Sequence, residues 1–201
     1  MDTTDYAVLN GVALKKMATA SAIAAASGLD EPDVAAVLDR LAASGLLLTA
    51  AGSALPTDAA GPALASAAAT RYAALRQDAG IAALADRFDP VNQQFLTTMS
   101  SWQQIDVGGR KVANDHSDPA YDAKVVTRLA RLVDRLGPLL DALAAFDPRF
   151  SHYGRRFDAA VEGIDAGAVE LVASPTVDSV HNIWFEFHED LLRTLGRTRT
   201  E

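Results

Sequence analysis

Prolines that follow a capping residue divide this chain more firmly than any other feature. Asp89-Pro90, Asp118-Pro119, Asp147-Pro148 and Ser174-Pro175 each set a side-chain acceptor directly before a Pro. Such an acceptor satisfies free N–H groups of a first helical turn. Pro at the first helical position gives up nothing, because its N–H would have had no partner. These pairs predict helix starts near residues 90, 119, 148 and 175, and Asp30-Glu31-Pro32 predicts a fifth. Pro138 after Gly137 should separate a helix over Pro119–Leu136 from one over Leu139–Phe146. Gly196 after Leu195 should stop the last helix.

Apolar spacing agrees. Val125, Leu129, Leu132 and Leu136 recur at helical intervals, as do His181, Trp184, Phe185 and His188, followed by Leu191, Leu192 and Leu195. The strands expected are short, Leu46–Thr49 and Ser53–Pro56, around Ala50-Ala51-Gly52. The chain reads as mainly α with one small β-hairpin. Its 201 residues suffice for one large domain or two small ones. No Phe or Trp precedes Phe88, and all seven Phe and both Trp lie from there onward. We therefore expect a small-residue domain over 1–65 and an aromatic helical domain over 66–201 that includes a long linking helix over 66–88.

Residues 6–61 read as three helices and a hairpin: Tyr6–Met17, Ala20–Ser27 with Gly28 as the turn, Glu31–Ala43 closed by Ser44-Gly45, then Leu46–Pro56. Ile23, Ala26, Leu29, Val34, Val37, Leu38, Leu41 and Leu46 supply a core. That is the order of a winged helix-turn-helix, here followed by a helical bundle. The run Ala20–Leu48, with Leu29-Asp30-Glu31-Pro32-Asp33-Val34 and Leu38-Asp39-Arg40-Leu41-Ala42-Ala43-Ser44-Gly45-Leu46-Leu47, resembles the helix-turn-helix of MarR-type regulators. Leu55-Pro56-Thr57-Asp58-Ala59-Ala60-Gly61 is similar to the segment that follows the wing in that family, with Pro56 intruding between Leu and Thr. The resemblance implies a winged fold and, by analogy, a dimeric DNA-binding regulator with a helical ligand-sensing domain.

Charge opposes the DNA part of that implication. Segment 1–65 holds seven acids (Asp2, Asp5, Asp30, Glu31, Asp33, Asp39, Asp58) and three bases (Lys15, Lys16, Arg40), a net of −4 within a chain of net −8. DNA affinity rests on phosphate neutralisation by several Lys or Arg. Here the start of the would-be recognition helix carries Asp30, Glu31 and Asp33, and the wing tip Ala50-Ala51-Gly52-Ser53 has no base. The expectation is a winged helix kept for packing or protein interaction, with a protein partner or a homodimer.

Candidate binding residues lie in the second half. Asp115 and His116 sit in the polar loop Val107–Asp118; His152, Arg155 and Arg156 lie near an expected helix start whose dipole attracts anions; His181, Trp184 and His188 share a helix face. These eight residues are the expected contacts for a small anionic ligand. His181 and His188 are two turns apart, about 10 Å, too far for one metal ion, and no metal or cofactor is assigned. Glu186, Glu189 and Asp190 read as the solvated face beside the stripe. Lys124, Arg128, Arg131 and Arg135 read as a solvated basic stripe.

Several chemistries are excluded or lack a signature. Without Cys there is no disulfide, thiol nucleophile or thiolate metal site. Gly108-Gly109 belongs to no phosphate-loop pattern and no strand is expected before it, and no Gly-x-Ser-x-Gly elbow exists. No apolar run is long enough to span a membrane, and Met1-Asp2-Thr3-Thr4-Asp5 lacks the blocks of a signal peptide, so a cytoplasmic location is expected.

A second resemblance enters through Asn114-Asp115-His116-Ser117-Asp118-Pro119-Ala120-Tyr121-Asp122 and the run Asp178–Gly196. Both look like segments near the C-terminal end of actinobacterial phosphoenolpyruvate-utilising, or pyruvate phosphate dikinase-like, proteins. It lies outside the catalytic parts of such proteins. It implies a non-catalytic accessory or regulatory module.

Overall fold

The computed structural model describes residues 1–198; the last three residues of the second expected domain lie outside them. Over the described residues the chain is mainly helical, with two small antiparallel hairpins.

Helix α1, Thr3–Lys15, starts at Asp2, whose carboxylate accepts from the Asp5 N–H at 2.7 Å. It buries Tyr6, Val8, Leu9 and Val12, and Lys16 ends it in a left-handed conformation. Helix α2, Ala20–Ser27, is capped by Thr19 and closed by Gly28 at φ 68°, a conformation that suits glycine. Helix α3, Glu31–Ala43, buries Val34, Val37, Leu38 and Leu41. The expected limits of α2 and α3 agree with these residue for residue. Strands β1, Leu47–Ala50, and β2, Ser53–Pro56, pair Leu47 with Pro56 and Leu48 with Leu55. Ala18 and Ala54 exchange two backbone hydrogen bonds, which ties the α1–α2 connection to the hairpin.

The single linking helix expected over 66–88 is two helices instead. Helix α4, Ala60–Arg71, buries Leu64 and Ala68 against α1 and α10; a short 3-10 turn over Leu75–Gln77 follows. Helix α5, Ala79–Gln103, then begins at Asp78, which caps Ile81. Pro90 lies inside α5 rather than at a helix start. An interior Pro costs about 3 kcal/mol locally. The continuous buried stripe Ile81, Ala85, Phe88, Val91, Phe95, Met99 and Trp102 runs through it and outweighs that cost.

A second hairpin was not expected: β3, Gln104–Val107, and β4, Arg110–Ala113. Gly108 and Gly109, both at positive φ, form its two-residue turn, and the Gly109 N–H donates to Asp106. Gln104-Ile105-Asp106-Val107 alternates polar and apolar residues, but Arg110-Lys111-Val112-Ala113 does not, and the side chains of both strands stand mostly in water.

Helix α6, Pro119–Asp134, and α7, Gly137–Phe146, divide as Pro138 predicts. Pro148 opens a 3-10 turn, Pro148–Phe150, that runs into α8, Ser151–Asp165. After the four-residue α9, Glu170–Ala173, Pro175 starts no helix. The last helix, α10, Val180–Leu195, is capped by Ser179 and closed by Gly196. Its buried stripe is Val180, Ile183, Trp184, Phe187 and Leu191, rotated from the one expected, and Phe185 is exposed. One continuous hydrophobic core joins Tyr6 and Leu9 of α1 to Phe88, Phe157 and Trp184. Among the described residues no helix is long and apolar enough to cross a membrane.

Candidate functional site

Where α1 meets α8 and α10, the structure gathers charged side chains from both ends of the sequence. Asp190, fully buried on α10, is gripped by both terminal nitrogens of Arg149. It also accepts from the Tyr153 hydroxyl at 2.9 Å and the Asn10 amide at 3.0 Å. Arg149 extends the network by donating to the Tyr72 hydroxyl, which donates in turn to Asp147 at 2.8 Å. Arg71 closes it on Asp147 at 3.1 Å. Arg193, one turn beyond Asp190, donates to the side-chain amide oxygen of Asn10.

A second group lies one turn earlier on α10. Glu186 receives Lys15 at 2.9 Å and Arg156 at 2.7 Å, and Arg156 also forks onto both oxygens of Asp178 at 2.6 Å. A groove of about 520 Å³ opens beside it, lined by Leu14, Met17, Val177 and Phe185.

The electrostatics favour holding charge over moving protons. Burial alone would raise Asp147, but the Tyr72 hydrogen bond and the Arg149 and Arg71 charges hold its carboxyl below the ordinary range. Asp178 is lowered likewise, burial being outweighed by Arg156 and Lys15. Burial first, then the Asp190 charge, pushes the Tyr153 hydroxyl well up. General acid–base work needs a group titrating near the operating pH, and these groups are driven away from it. The Tyr6 hydroxyl is buried beside Tyr72, the two rings edge to face.

The eight residues expected to form a ligand site do not converge on one place: His152, Arg155 and Arg156 line one open groove of about 340 Å³ with Asp178, and none of the other five lines it. Asp115 is exposed and accepts from the Ser117 N–H, a local loop turn. His116 contacts Asp122 at 2.9 Å and lies 4.4 Å from the Trp102 ring. His152 packs over Gly28 and touches Arg155. Arg156 is occupied by Asp178 and Glu186. His181 stacks near Phe95, and His188 lies edge-on to Phe88. Trp184 is buried, stacked on Phe95 at 4.1 Å, and donates to Asn92 at 3.0 Å. His181 and His188 thus lie at two ends of one aromatic cluster, Phe95, Trp184 and Phe88, while His116 and His152 lie in other surroundings. Among the described residues no group of three or more His, Asp or Glu could hold a metal ion.

The solvated-face reading of Glu186 and Asp190 is overturned: both are buried and matched by cations. Asn10, Lys15, Tyr72 and Arg149 were not expected in any site. One signal was available. Ile183, Phe187, Asp190 and Thr194 continue one face at helical spacing, which places Asp190 within an apolar stripe.

Comparison of the chain with protein-family models, with curated proteins and with solved structures finds no match.

Proposed function

We propose that the protein is a non-catalytic regulatory or protein-interaction module. Its winged helix-turn-helix (α1–α3 with β1 and β2) is docked on a helical bundle and recognises protein rather than DNA. The observation that carries this reading is where the N-terminal cations go. Lys15 is turned inward onto Glu186 and Asp178, and Arg40 is held by Asp5 at 2.8 Å. Of the three bases in residues 1–65, that leaves Lys16 as the one without an ion pair among the described residues. The exposed start of α3, where a recognition helix would meet a groove, carries Asp30, Glu31 and Asp33. A duplex presents one phosphate per roughly 1.7 Å and demands the opposite.

The resemblance of the C-terminal segments to accessory regions of phosphoenolpyruvate-utilising proteins suggests an enzyme of that kind as the partner to be regulated. Titration of a labelled duplex pool at low ionic strength tests the central reading. No binding is expected, and salt-sensitive binding overturns it in favour of a MarR-like DNA-binding regulator.

A further inference from the structure

Two surface grooves run into each other between α2, α8 and α10. The one of about 520 Å³ beside Glu186 and the one of about 340 Å³ beside His152 share Ala25 and Asp178 in their walls. The furrow they form has an apolar end. Met17 follows α1, Val177 lies in the turn before α10 and Phe185 lies on α10, yet all three line one groove, 60 %, 37 % and 42 % exposed. Asn182 fixes the turn that carries Val177, donating to the carbonyls of Ser174 at 2.9 Å and Val177 at 2.8 Å. Large apolar side chains left this open gain burial only when something covers them.

The other end is cationic. Arg155 lines it and donates to the Ser151 hydroxyl at 3.1 Å and to the His152 ring, but it pairs with no carboxylate among the described residues. Lys16, in the wall of the apolar end, is also without an ion pair among them. The two carboxylates of the furrow, Asp178 and Glu186, are each held by both Lys15 and Arg156. Four bases thus face two acids, in a chain whose net charge is −8. The surplus positive charge is complementary to an occupant that brings acids.

We propose that the furrow docks an acidic amphipathic helix of a partner protein. Its apolar side chains sit among Met17, Val177 and Phe185, and its carboxylates meet Lys16 and Arg155. A helix is the fit because α1, α2, α8 and α10 supply most of the walls, and a groove between helices takes apolar anchors three or four residues apart. A small ligand is enclosed by its pocket, whereas here the wall side chains project into water and the furrow continues through two grooves. A nucleic acid needs several free cations for its phosphates and gains little from three aliphatic and aromatic side chains at one end. The inference rests on the reading of the protein as an interaction module and names the chemistry of its partner.

A displayed library of random 16-residue peptides, selected on the natural chain, tests it. Enriched peptides should carry large apolar residues at helical spacing together with Asp or Glu. Fluorescence anisotropy of a labelled enriched peptide should show binding that weakens as salt rises. Met17→Ser with Phe185→Ser should weaken that binding at least about 30-fold, and Lys16→Glu with Arg155→Glu at least about 10-fold. Exchanging the acids of the peptide for Lys should restore binding to the charge-reversed variant. All four positions are exposed, and circular dichroism checks the fold; should the apolar double variant lose it, Met17→Ser alone must still weaken binding. No enriched peptide, enrichment of basic peptides, or equal binding to the variants overturns the proposal. So does a natural chain that dimerises in sedimentation equilibrium and loses the dimer with Met17→Ser and Phe185→Ser, since the occupant is then a second copy. Duplex binding that is lost with Lys16→Glu and Arg155→Glu overturns both this proposal and the protein-binding reading. Absence of both peptide and duplex binding overturns the furrow alone.

Discussion

Arg149 and Asp190 form a forked ion pair at the centre of the molecule, and Asp190 has no exposed surface. The pair joins the 3-10 turn before α8 to the last helix. Through Asn10, which donates to the same carboxylate, it also fastens α1. Removing Asp190 leaves the Arg149 charge buried with Asp147, at 3.3 Å and shared with Arg71, as its remaining counter-charge, which costs more than the intact pair contributes. Asp190→Ala should therefore lose about 3–5 kcal/mol in urea denaturation. The double variant Arg149→Met with Asp190→Leu should recover more than half of that loss. A single-variant loss below about 1 kcal/mol would show that the network is not holding the junction.

The His152 side chain of α8 packs directly on the backbone of Gly28, which closes α2. A Cβ on Gly28 would lie 2.1 Å from a ring carbon of His152, and the backbone there is left-handed. Gly28→Ala should cost about 2–3 kcal/mol, of which roughly 1–2 kcal/mol is the left-handed conformation itself. Adding His152→Ala should relieve the clash and leave the backbone part. Equal stability of the single and double variants would contradict this division.

Stability should fall in two stages as the pH is lowered. Burial holds His181 below its ordinary pKa. Burial, then Arg155 and Arg156, does the same for His152. The unfolded chain therefore takes up these protons first. The contribution is complete above about pH 6.5 and is lost as pH falls toward the depressed folded values. Asp147 and Asp178 are also depressed, so their contribution persists above about pH 4 and is lost as pH falls through their folded values. Urea midpoints measured against pH should show both descents, and His181→Gln should shrink the first. A midpoint that rises between about pH 7 and 5 would contradict the signs.

Local chemistry made much of this fold readable. Gly28, Gly196 and the Asp118-Pro119 pair bound helices as capping rules require, because each acts on atoms a few residues away. Pro90 and Pro175 misled for the opposite reason. The start of α5 is set at Asp78 and its continuity by burial of Phe88, Val91 and Phe95, which local rules do not see. In the β3–β4 hairpin only the four residues Gln104–Val107 alternate, too short a run to read as a strand, because neither strand has a buried face to extend the pattern.

The charged junction was hidden by distance along the chain. Asn10 and Asp190 are 180 residues apart, and Lys15 and Glu186 are 171 apart. A carboxylate beside an apolar stripe reads as solvated until the cation that accompanies it into the interior is known. His181 and His188 drew attention through their side-chain chemistry, yet each is fitted against an aromatic ring.

The central claim is that the acidic α3 face of this module meets protein and not DNA. Fluorescence anisotropy of a labelled duplex pool, titrated with the purified protein at low salt and again at rising salt, tests it most directly. Low salt is the condition most generous to phosphate contacts. The account predicts unchanged anisotropy throughout. Binding at low salt that weakens steeply as salt rises would contradict it.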